Sequence, residues 1–363
     1  MKHMTKIIKN LIIILIIIFL SLFFLELFFS LYLGFGKNKI FNKFTERSIF
    51  YQKGENFQNF SNFFKYYPNE KIRSLGLFYK KNPVSLDDLK IEYDYFLETN
   101  NLGLVMKNNI LNNEEVNLII GDSFTEGQGA TPWFYELEEV WKFKHKNINL
   151  GILGTGPMQW LNLTDYIIKE KSLKINGIVI NIILDDLFRQ NWKFNDDQIN
   201  CLRKAECTYS GYFQGIDFKK FKNYKEIKNY QINKSKNFNK SKEFKNFLNK
   251  LNVLNEINKY LRFYISRDTR IQNYKSIEKL TKYSNKNVYI NIIPTKNISL
   301  ETLKEDKIYK ELTNYLRKYG FSFNICYISN DGFHLYDQHP NKYGYQKIKK
   351  CTIDGLNFIY KKN

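Results

Sequence analysis

The chain has 363 residues, of which 43% are apolar, and a formal net charge of +20. This length accommodates one sizeable α/β domain with additions or two small domains, and the apolar content argues against wholesale disorder. Abundant Lys, Asn, Ile, Tyr and Phe are typical of an AT-rich genome, so the charge alone does not indicate nucleic-acid binding. The sequence has no arginine-rich arm, RNP-like motif or zinc-finger spacing, and we therefore expect no nucleic-acid partner.

The first 35 residues predict a membrane anchor. Residues 1–10 contain three lysines, and residues 11–35 are almost uninterrupted Leu, Ile and Phe, with Glu26 as the single charge. About 20 apolar residues span a bilayer, whereas a cleaved signal peptide has a shorter apolar region and small residues at its cleavage site. We expect an uncleaved signal anchor in the cytoplasmic (inner) membrane, with a cleaved signal as the alternative. The short basic N-terminus favours a cytoplasmic tail at 1–10 and an exported remainder, periplasmic or extracellular.

Beyond the anchor, the pattern predicts a lead-in and one α/β domain. Residues 36–110 are rich in aromatic residues and turn signals, and we interpret them as a juxtamembrane lead-in that packs on the main domain at 111–363. The apolar runs that predict strands are 116–120, 148–152, 178–184, 288–293 and 321–328, and the helix-length stretches are 132–146, 157–171, 300–319 and 341–360. This alternation predicts a three-layer α/β/α sandwich with a mostly parallel five-stranded sheet. Functional sites of such folds gather at the edge where the strands end.

An insertion at about 190–285 separates the third and fourth predicted strands. We interpret its basic tract at 216–250 as a solvated surface, with contact to an anionic polymer or lipid head group as the alternative. Cys201 and Cys207 close a short loop, and export would permit them to pair. Cys326 lies in an apolar run, where we expect a buried free thiol. No Cys-x-x-Cys spacing is present, so we expect no zinc site.

One motif could supply a nucleophile. Residues 121–129 read Gly-Asp-Ser-Phe-Thr-Glu-Gly-Gln-Gly and directly follow the run at 116–120. A turn at this position would place the Ser123 hydroxyl at the edge of the sheet, where a base could activate it and its backbone N–H could help to bind an oxyanion. Alternatively, Gly121 and Asp122 only build a turn, and Ser123 caps the next helix.

The chain has four histidines that could supply a general base. His3 precedes the predicted membrane helix, which leaves His145, His334 and His339 as candidates. We expect His145, at the end of a Lys-rich helix, to be solvated. His339 stands just before a predicted helix start, and Asp337 could orient its ring as the third member of a catalytic triad does. His334 with Asp331 is a rival pair, and turn or cap chemistry is the alternative interpretation of both pairs.

The order and spacing of these motifs resemble those of the SGNH, or GDSL-type, hydrolases, in particular their membrane-anchored bacterial members. Four blocks match in the family's order: Ile120-Gly-Asp-Ser-Phe-Thr-Glu-Gly, Asn149-Leu-Gly-Ile-Leu-Gly-Thr-Gly-Pro, Val179-Ile-Asn-Ile-Ile-Leu-Asp-Asp-Leu and Asp337-Gln-His-Pro-Asn-Lys-Tyr-Gly. Residues 98–103 also resemble the stretch that precedes the first block in anchored members. The resemblance spans roughly residues 95–360 and implies a flavodoxin-like SGNH hydrolase fold.

The resemblance implies a role for each matching residue. Ser123 would be the nucleophile, His339 the general base, and Asp337 the residue that orients the base. The backbone N–H groups of Ser123 and Gly154 would form most of the oxyanion hole. No metal or organic cofactor is implied.

Two positions depart from the family's pattern. Asp185 stands where the family has an Asn that donates a third hydrogen bond to the oxyanion, and losing one such donor costs about 2.7–4 kcal/mol in measured cases. Either burial keeps Asp185 protonated, or another donor substitutes, or activity is weak. The register of this block is open as well, with Asn181 nearby. Many members place the triad acid three residues before the histidine, where this chain has Tyr336, so Asp331 remains an alternative to Asp337.

From the resemblance and the predicted export, we expect a serine esterase or O-acyltransferase that forms an acyl-enzyme on Ser123. The expected substrates are acyl esters, above all acetyl esters, of envelope polysaccharide or glycolipid. The alternative, which Asp185 favours, is a non-catalytic envelope module that binds glycan or scaffolds a polysaccharide-assembly complex. A third hypothesis is a tethered interaction protein that uses its basic insertion. The lipid bilayer is an expected partner through residues 11–35.

Overall fold

The computed structural model describes residues 2–33, 44, 46–141, 145–207, 212–235, 261–285 and 287–362. Their strands are β1 (Glu46–Gln52), β2 (Phe57–Asn59), β3 (Phe64–Tyr66), β4 (Lys71–Tyr79), β5 (Leu89–Glu98), β6 (Glu115–Gly121), β7 (Lys146–Gly151), β8 (Lys174–Ile182), β9 (Phe213–Ile216), β10 (Val288–Ile292) and β11 (Ser322–Ile325). Their α-helices are α1 (Lys2–Leu33), α2 (Ser123–Glu126), α3 (Phe134–Val140), α4 (Pro157–Lys171), α5 (Asp196–Lys204), α6 (Tyr224–Ser235), α7 (Arg267–Lys282), α8 (Leu300–Glu305), α9 (Lys307–Lys318) and α10 (Lys342–Lys362). Short 3-10 helices lie at Leu86–Asp88, Leu184–Phe188, Phe218–Lys220 and Asn330–Gly332.

A parallel five-stranded sheet forms the centre of the molecule, in the order β11-β10-β8-β6-β7. Its inner strands are almost entirely buried, which explains their continuous runs of Ile and Val. Helix α10 packs against β8 and β10, and α4 packs against β6 and β7. The predicted α/β class, with helices flanking a five-stranded parallel sheet, is therefore confirmed. Because every strand points the same way, the ends of β6, β7 and β8 lie at one edge.

Two predicted helices differ from those in the structure. The stretch at 132–146 is helical only over Phe134–Val140, since the chain is extended at Trp141 and β7 begins at Lys146. The stretch at 300–319 forms two helices, because Asp306 leaves the helical conformation and caps α9 by accepting from the N–H groups of Ile308 and Tyr309.

The lead-in and the insertion together build a second sheet. Its order is β5-β4-β1-β9, in which β1, β4 and β5 pair antiparallel and β9 pairs parallel to β1. Strand β9 belongs to the insertion, so two segments that are far apart in sequence complete each other. Residues 34–43 and the part of the basic tract from 236 to 250 lie outside the described residues.

Two expectations about single side chains are wrong, and α10 explains both. Cys326 is not a free thiol but is bonded to Cys351 of α10, with a Cα–Cα distance of 5.9 Å. His145 is buried rather than solvated. Its ring stacks on that of Tyr360 in α10, with 5.8 Å between the ring centroids. A helix that folds back over a sheet brings together residues that no local pattern connects. The other disulfide joins Cys201 and Cys207, the pair that the short loop had suggested.

Helix α1 contains one stretch that could cross a membrane. Asn10–Phe28 spans 19 residues with a mean hydropathy of 3.1, and none of it is buried by the rest of the chain. A signal sequence would have the same character, so the orientation and the cytoplasmic-membrane location stay predictions.

Candidate active site

The turn after β6 presents Ser123 at the carboxyl edge of the central sheet. Gly121 ends the strand, and a Cβ there would lie 2.1 Å from the Thr125 hydroxyl and 2.6 Å from the Asn181 carbonyl, so no side chain fits. Asp122 caps α2 by accepting from the Phe124 N–H at 2.9 Å. Ser123 is thus the first residue of the helix and not its cap, which is the geometry that the nucleophile hypothesis requires.

In the structure, the side chains of Ser123, His339 and Asp337 are connected by consecutive hydrogen bonds. His339 Nε2 lies 2.9 Å from Ser123 Oγ, and His339 Nδ1 lies 2.8 Å from Asp337 Oδ1. Ser123 Oγ is also 3.3 Å from Asp122 Oδ2, a longer contact than the one to the histidine. This arrangement has the order of a Ser–His–Asp triad, in which a carboxylate orients the imidazole that accepts the serine proton.

Asn341 fixes the loop that carries His339 and Asp337. Its side-chain amide donates to the Asp331 carbonyl at 2.7 Å and to the Phe333 carbonyl at 3.0 Å. Its backbone N–H donates to the Gly332 carbonyl at 2.9 Å. The loop therefore closes on itself directly before α10, and this closure aims His339 towards the end of β6.

Asp337 lies in a buried polar environment that keeps it ionised. Its side chain is fully buried, with Tyr93 donating to Oδ2 at 3.0 Å and Arg47 lying 3.2 Å from Oδ1. Burial by itself would raise the pKa of Asp337, but the His339 ring, the Arg47 guanidinium and the Tyr93 hydroxyl outweigh it and hold the pKa below its ordinary value. The backbone N–H of Asp337 donates to Glu92 at 2.7 Å. Arg47, Glu92 and Tyr93 all come from the lead-in.

The rival pair does not form in the structure. His334 Nε2 lies 2.9 Å from the Gly129 carbonyl, so this ring contacts the turn after α2. Asp331 is exposed, and in the described part of the chain its carboxylate contacts neither histidine. Tyr336, which stands three residues before His339, packs its ring against Phe78. Of the two aspartates, only Asp337 is placed beside His339.

Gly154 lies in the loop between β7 and α4, where the second block predicts an oxyanion-hole residue. Its φ of +67° is the left-handed conformation that favours glycine, and Trp192 donates to its carbonyl at 2.9 Å. Within the described residues, the backbone N–H groups of Ser123 and Gly154 donate no hydrogen bond. Arg189 Nη1 donates both to Asp122 at 2.9 Å and to the Thr155 carbonyl at 2.8 Å. One guanidinium nitrogen therefore contacts the residue before Ser123 and the residue after Gly154.

Asp185 is not buried, which excludes one of the three outcomes considered for it. Its side chain is 56% exposed and lies 3.2 Å from Arg262, so it lacks the buried surroundings that this outcome requires. Asn181 does not substitute for it either. The Asn181 side chain donates to Thr352 at 3.3 Å and accepts from Asn291 at 2.8 Å, and both contacts are buried.

Asp186 and Arg189 are structural residues that sequence reasoning missed. Asp186 is fully buried, accepts from the Ile183 N–H at 3.0 Å and lies 2.7 Å from Arg189. Burial and the nearby Asp122 raise the pKa of Asp186, while Arg189 acts in the opposite direction. Asp186 and Arg189 are three residues apart, and on a helical turn this spacing in the sequence could have predicted their ion pair. The contacts of Arg47 and Tyr93 with Asp337 had no such signal.

No family model matches the chain, and no curated protein matches it. Seven chains among solved structures do match. One is a GDSL-like lipase from Bacteroides thetaiotaomicron VPI-5482, with 13% identity and a TM-score of 0.32 over 67% of this chain and 88% of that one. Another is an acetyl xylan esterase, Est2A, from the rumen bacterium Butyrivibrio proteoclasticus, with 11% identity and a TM-score of 0.31 over 74% of this chain and 67% of that one.

Proposed function

We propose that this chain is a serine esterase or O-acyltransferase that forms an acyl-enzyme on Ser123. The observation that carries the proposal is the line of contacts from Ser123 Oγ to His339 Nε2 at 2.9 Å and from His339 Nδ1 to Asp337 at 2.8 Å. A serine hydroxyl is a weak nucleophile until a base removes its proton, and this line supplies both the base and the group that orients it.

The residues would act in a defined order. Ser123 Oγ attacks the ester carbonyl while its proton moves to His339 Nε2, and Asp337 stabilises the resulting imidazolium. The N–H groups of Ser123 and Gly154 donate to the oxyanion of the tetrahedral intermediate. His339 then returns the proton to the departing alkoxide, which leaves as an alcohol. In the second half, water or a sugar hydroxyl gives its proton to His339 while its oxygen bonds to the acyl carbon. His339 then returns this proton to Ser123 Oγ as the bond between Oγ and the acyl group breaks, which restores the free serine.

The cellular location that we infer for this protein supports an envelope substrate. The chain has an apolar helix that could span a membrane, and all four of its cysteines are in disulfides, which form and persist in oxidising compartments. We infer that α1 anchors the protein in the cytoplasmic membrane and that the remainder is exported. Acetyl esters of envelope polysaccharide or glycolipid are then the proposed substrates, and the membrane and polysaccharide-assembly machinery the proposed partners. The choice of an acetyl group and a carbohydrate rests on the family resemblance of the sequence blocks.

The test uses the full chain in detergent micelles. Wild type, Ser123→Ala and His339→Ala are compared for release of p-nitrophenol from p-nitrophenyl acetate and for labelling by a fluorophosphonate probe. We expect both signals in the wild type and neither in the variants. A folded wild type that neither reacts with the probe nor hydrolyses the ester would reject the esterase and favour the glycan-binding module.

Acyl transfer is then tested by adding acetyl-free oligosaccharides and looking for acetylated products by mass spectrometry.

A further inference from the structure

A buried carboxyl group connects the nucleophile helix to the loop that carries Gly154. Glu126 lies three residues after Ser123 on α2 and is only 1% exposed. Its Oε2 accepts from the backbone N–H of Leu153 at 2.6 Å, and its Oε1 accepts from the Tyr66 hydroxyl at 2.9 Å. Leu153 directly precedes Gly154. A single side chain therefore fixes the amide next to the predicted oxyanion donor.

This contact matters because the two predicted donors belong to different loops. The Ser123 N–H is at the start of α2, and the Gly154 N–H is in the loop after β7. The two loops already approach closely, since a Cβ on Gly151 would lie 2.3 Å from the Glu126 backbone nitrogen. Close packing sets the distance between the loops, but a hydrogen bond to Leu153 sets the orientation of the peptide groups around Gly154. Oxyanion stabilisation depends on that orientation, since the donors must point to where the charge develops.

We propose that Glu126 is a positioning residue for the oxyanion hole, which holds the Leu153–Gly154 segment at a fixed orientation relative to Ser123. The inference rests on the proposed function, because it concerns how the same site is assembled. Glu126 does not touch the reacting atoms in this proposal. It acts through the Leu153 amide, and Tyr66 of the lead-in holds its other oxygen.

The surroundings of Glu126 favour a neutral acid that behaves as a hydrogen-bonding group. Glu126 interacts electrostatically with six titratable groups, none of which is a cation. They are Tyr51, Tyr66, Tyr95, Tyr135, Tyr345 and Asp122. Burial raises the pKa of Glu126 to about 8. A protonated carboxyl can still accept from Leu153 through one oxygen while the other donates to the Tyr66 oxygen. An amide of the same shape can make both contacts.

The test compares Glu126→Gln, Glu126→Asp and Glu126→Leu in the full chain, with kcat and KM measured on p-nitrophenyl acetate. We expect Glu126→Gln to keep most of kcat. Glu126→Asp shortens the side chain by one methylene, and Glu126→Leu removes the acceptor. We expect both to lose about 10- to 100-fold in kcat with KM little changed, since small misplacements of a catalytic group cost on this scale. Glu138→Leu is the control, because the Glu138 carboxylate, like that of Glu126, accepts from backbone N–H groups, but they are those of Lys107 and Asn108, at 2.9 Å each.

A second readout does not depend on turnover. Hydrogen exchange at the Leu153 amide should accelerate in Glu126→Asp and Glu126→Leu but not in Glu126→Gln. The inference is overturned if Glu126→Asp keeps wild-type kcat, or if Glu126→Gln loses as much kcat as Glu126→Leu. Should Glu126→Leu fail to fold, the comparison of Glu126→Asp with Glu126→Gln still decides. An inactive wild type would instead contradict the proposed function, whereas an active wild type with insensitive Glu126 variants would contradict the positioning role alone.

Discussion

Arg47 and Asp337 are separated by 290 positions in the sequence, yet Arg47 Nη1 lies 3.2 Å from Asp337 Oδ1. Arg47 belongs to β1 of the lead-in, and its guanidinium lies 3.9 Å from the ring centroid of Tyr212, just before β9 of the insertion. The contacted oxygen is the one that faces His339. The lead-in and the insertion thus meet at the candidate catalytic acid, so neither is a mere decoration of the central domain.

Removing this contact should affect activity more than stability. Arg47 is 41% exposed, and without it the buried Asp337 carboxylate still keeps Tyr93 and His339 as partners, so Arg47→Met should change the thermal midpoint little. We expect kcat to fall about two- to fivefold, because Asp337 loses one of the groups that orient it and 1.4 kcal/mol corresponds to tenfold in rate. Arg203→Met is the matched control, since Arg203 is 44% exposed and pairs with Glu55, which is not a residue of the candidate triad. Equal kcat values for both variants would contradict the coupling.

Asp337→Asn tests which aspartate serves the histidine. The amide keeps the size of the side chain but can present a donor to His339 Nδ1 and favour the wrong tautomer, which lowered kcat by about 10⁴ in a serine protease. We expect a loss of about this size on p-nitrophenyl acetate. Asp331→Asn serves as the control, because Asp331 is exposed and should leave kcat unchanged. The opposite result would restore Asp331 as the triad acid.

Glu126 should make stability decrease with rising pH. Its pKa is raised to about 8, whereas a glutamate in an unfolded chain titrates near 4.3. Between these values the folded protein holds a proton that the unfolded chain has released, so stability falls as pH rises through this window. Each unit of pKa shift corresponds to about 1.4 kcal/mol. Thermal midpoints of wild type and Glu126→Gln should therefore diverge from pH 5 to pH 8 in favour of Gln, and parallel profiles would show that Glu126 does not titrate in this range.

The two disulfides should differ in their contribution to stability. Loop-closure entropy predicts about 3.5 kcal/mol for Cys326–Cys351, which are 25 residues apart, and about 2 kcal/mol for Cys201–Cys207, which are 6 apart. Paired Cys→Ala variants of each bridge should lower the thermal midpoint in that order under oxidising conditions. Under reducing conditions the wild type should approach the variants. A smaller loss at Cys326–Cys351 would mean that α10 is held to the sheet mainly by its packing against β8 and β10.

Arg189→Met should strongly destabilise the protein. Arg189 lies 2.9 Å from Asp122 and 2.7 Å from Asp186, both of which have fully buried side chains. Removing the cation leaves two buried carboxylates without a counterion, and breaking a buried pair in this way costs about 3–5 kcal/mol. The loss is measured as a fall in the thermal midpoint. Adding Asp186→Asn should recover part of it, and no recovery would show that the Asp122 contact dominates.

The sequence by itself determined the parts of this protein that depend on neighbours in the chain. Continuous Ile and Val runs predicted the parallel sheet, because strands covered on both faces need no polar residues. The Gly121-Asp122-Ser123 motif predicted the turn after β6, because a chain that leaves a strand into a helix favours a small residue there, although the cap is Asp122 and not Ser123. The short loop between Cys201 and Cys207 suggested their disulfide for the same local reason.

Only the tertiary structure decided which distant groups meet. The approach of Arg47 and Tyr93 to Asp337, the bond between Cys326 and Cys351 and the exposure of Asp185 all follow from how whole elements pack. The lead-in sheet and α10 each carry residues to a place that is set by the shape of the core, and a linear pattern does not encode that place. The sequence therefore predicted the residues of the candidate triad, whereas packing placed Asp337 rather than Asp331 beside His339 and supplied the groups that contact it.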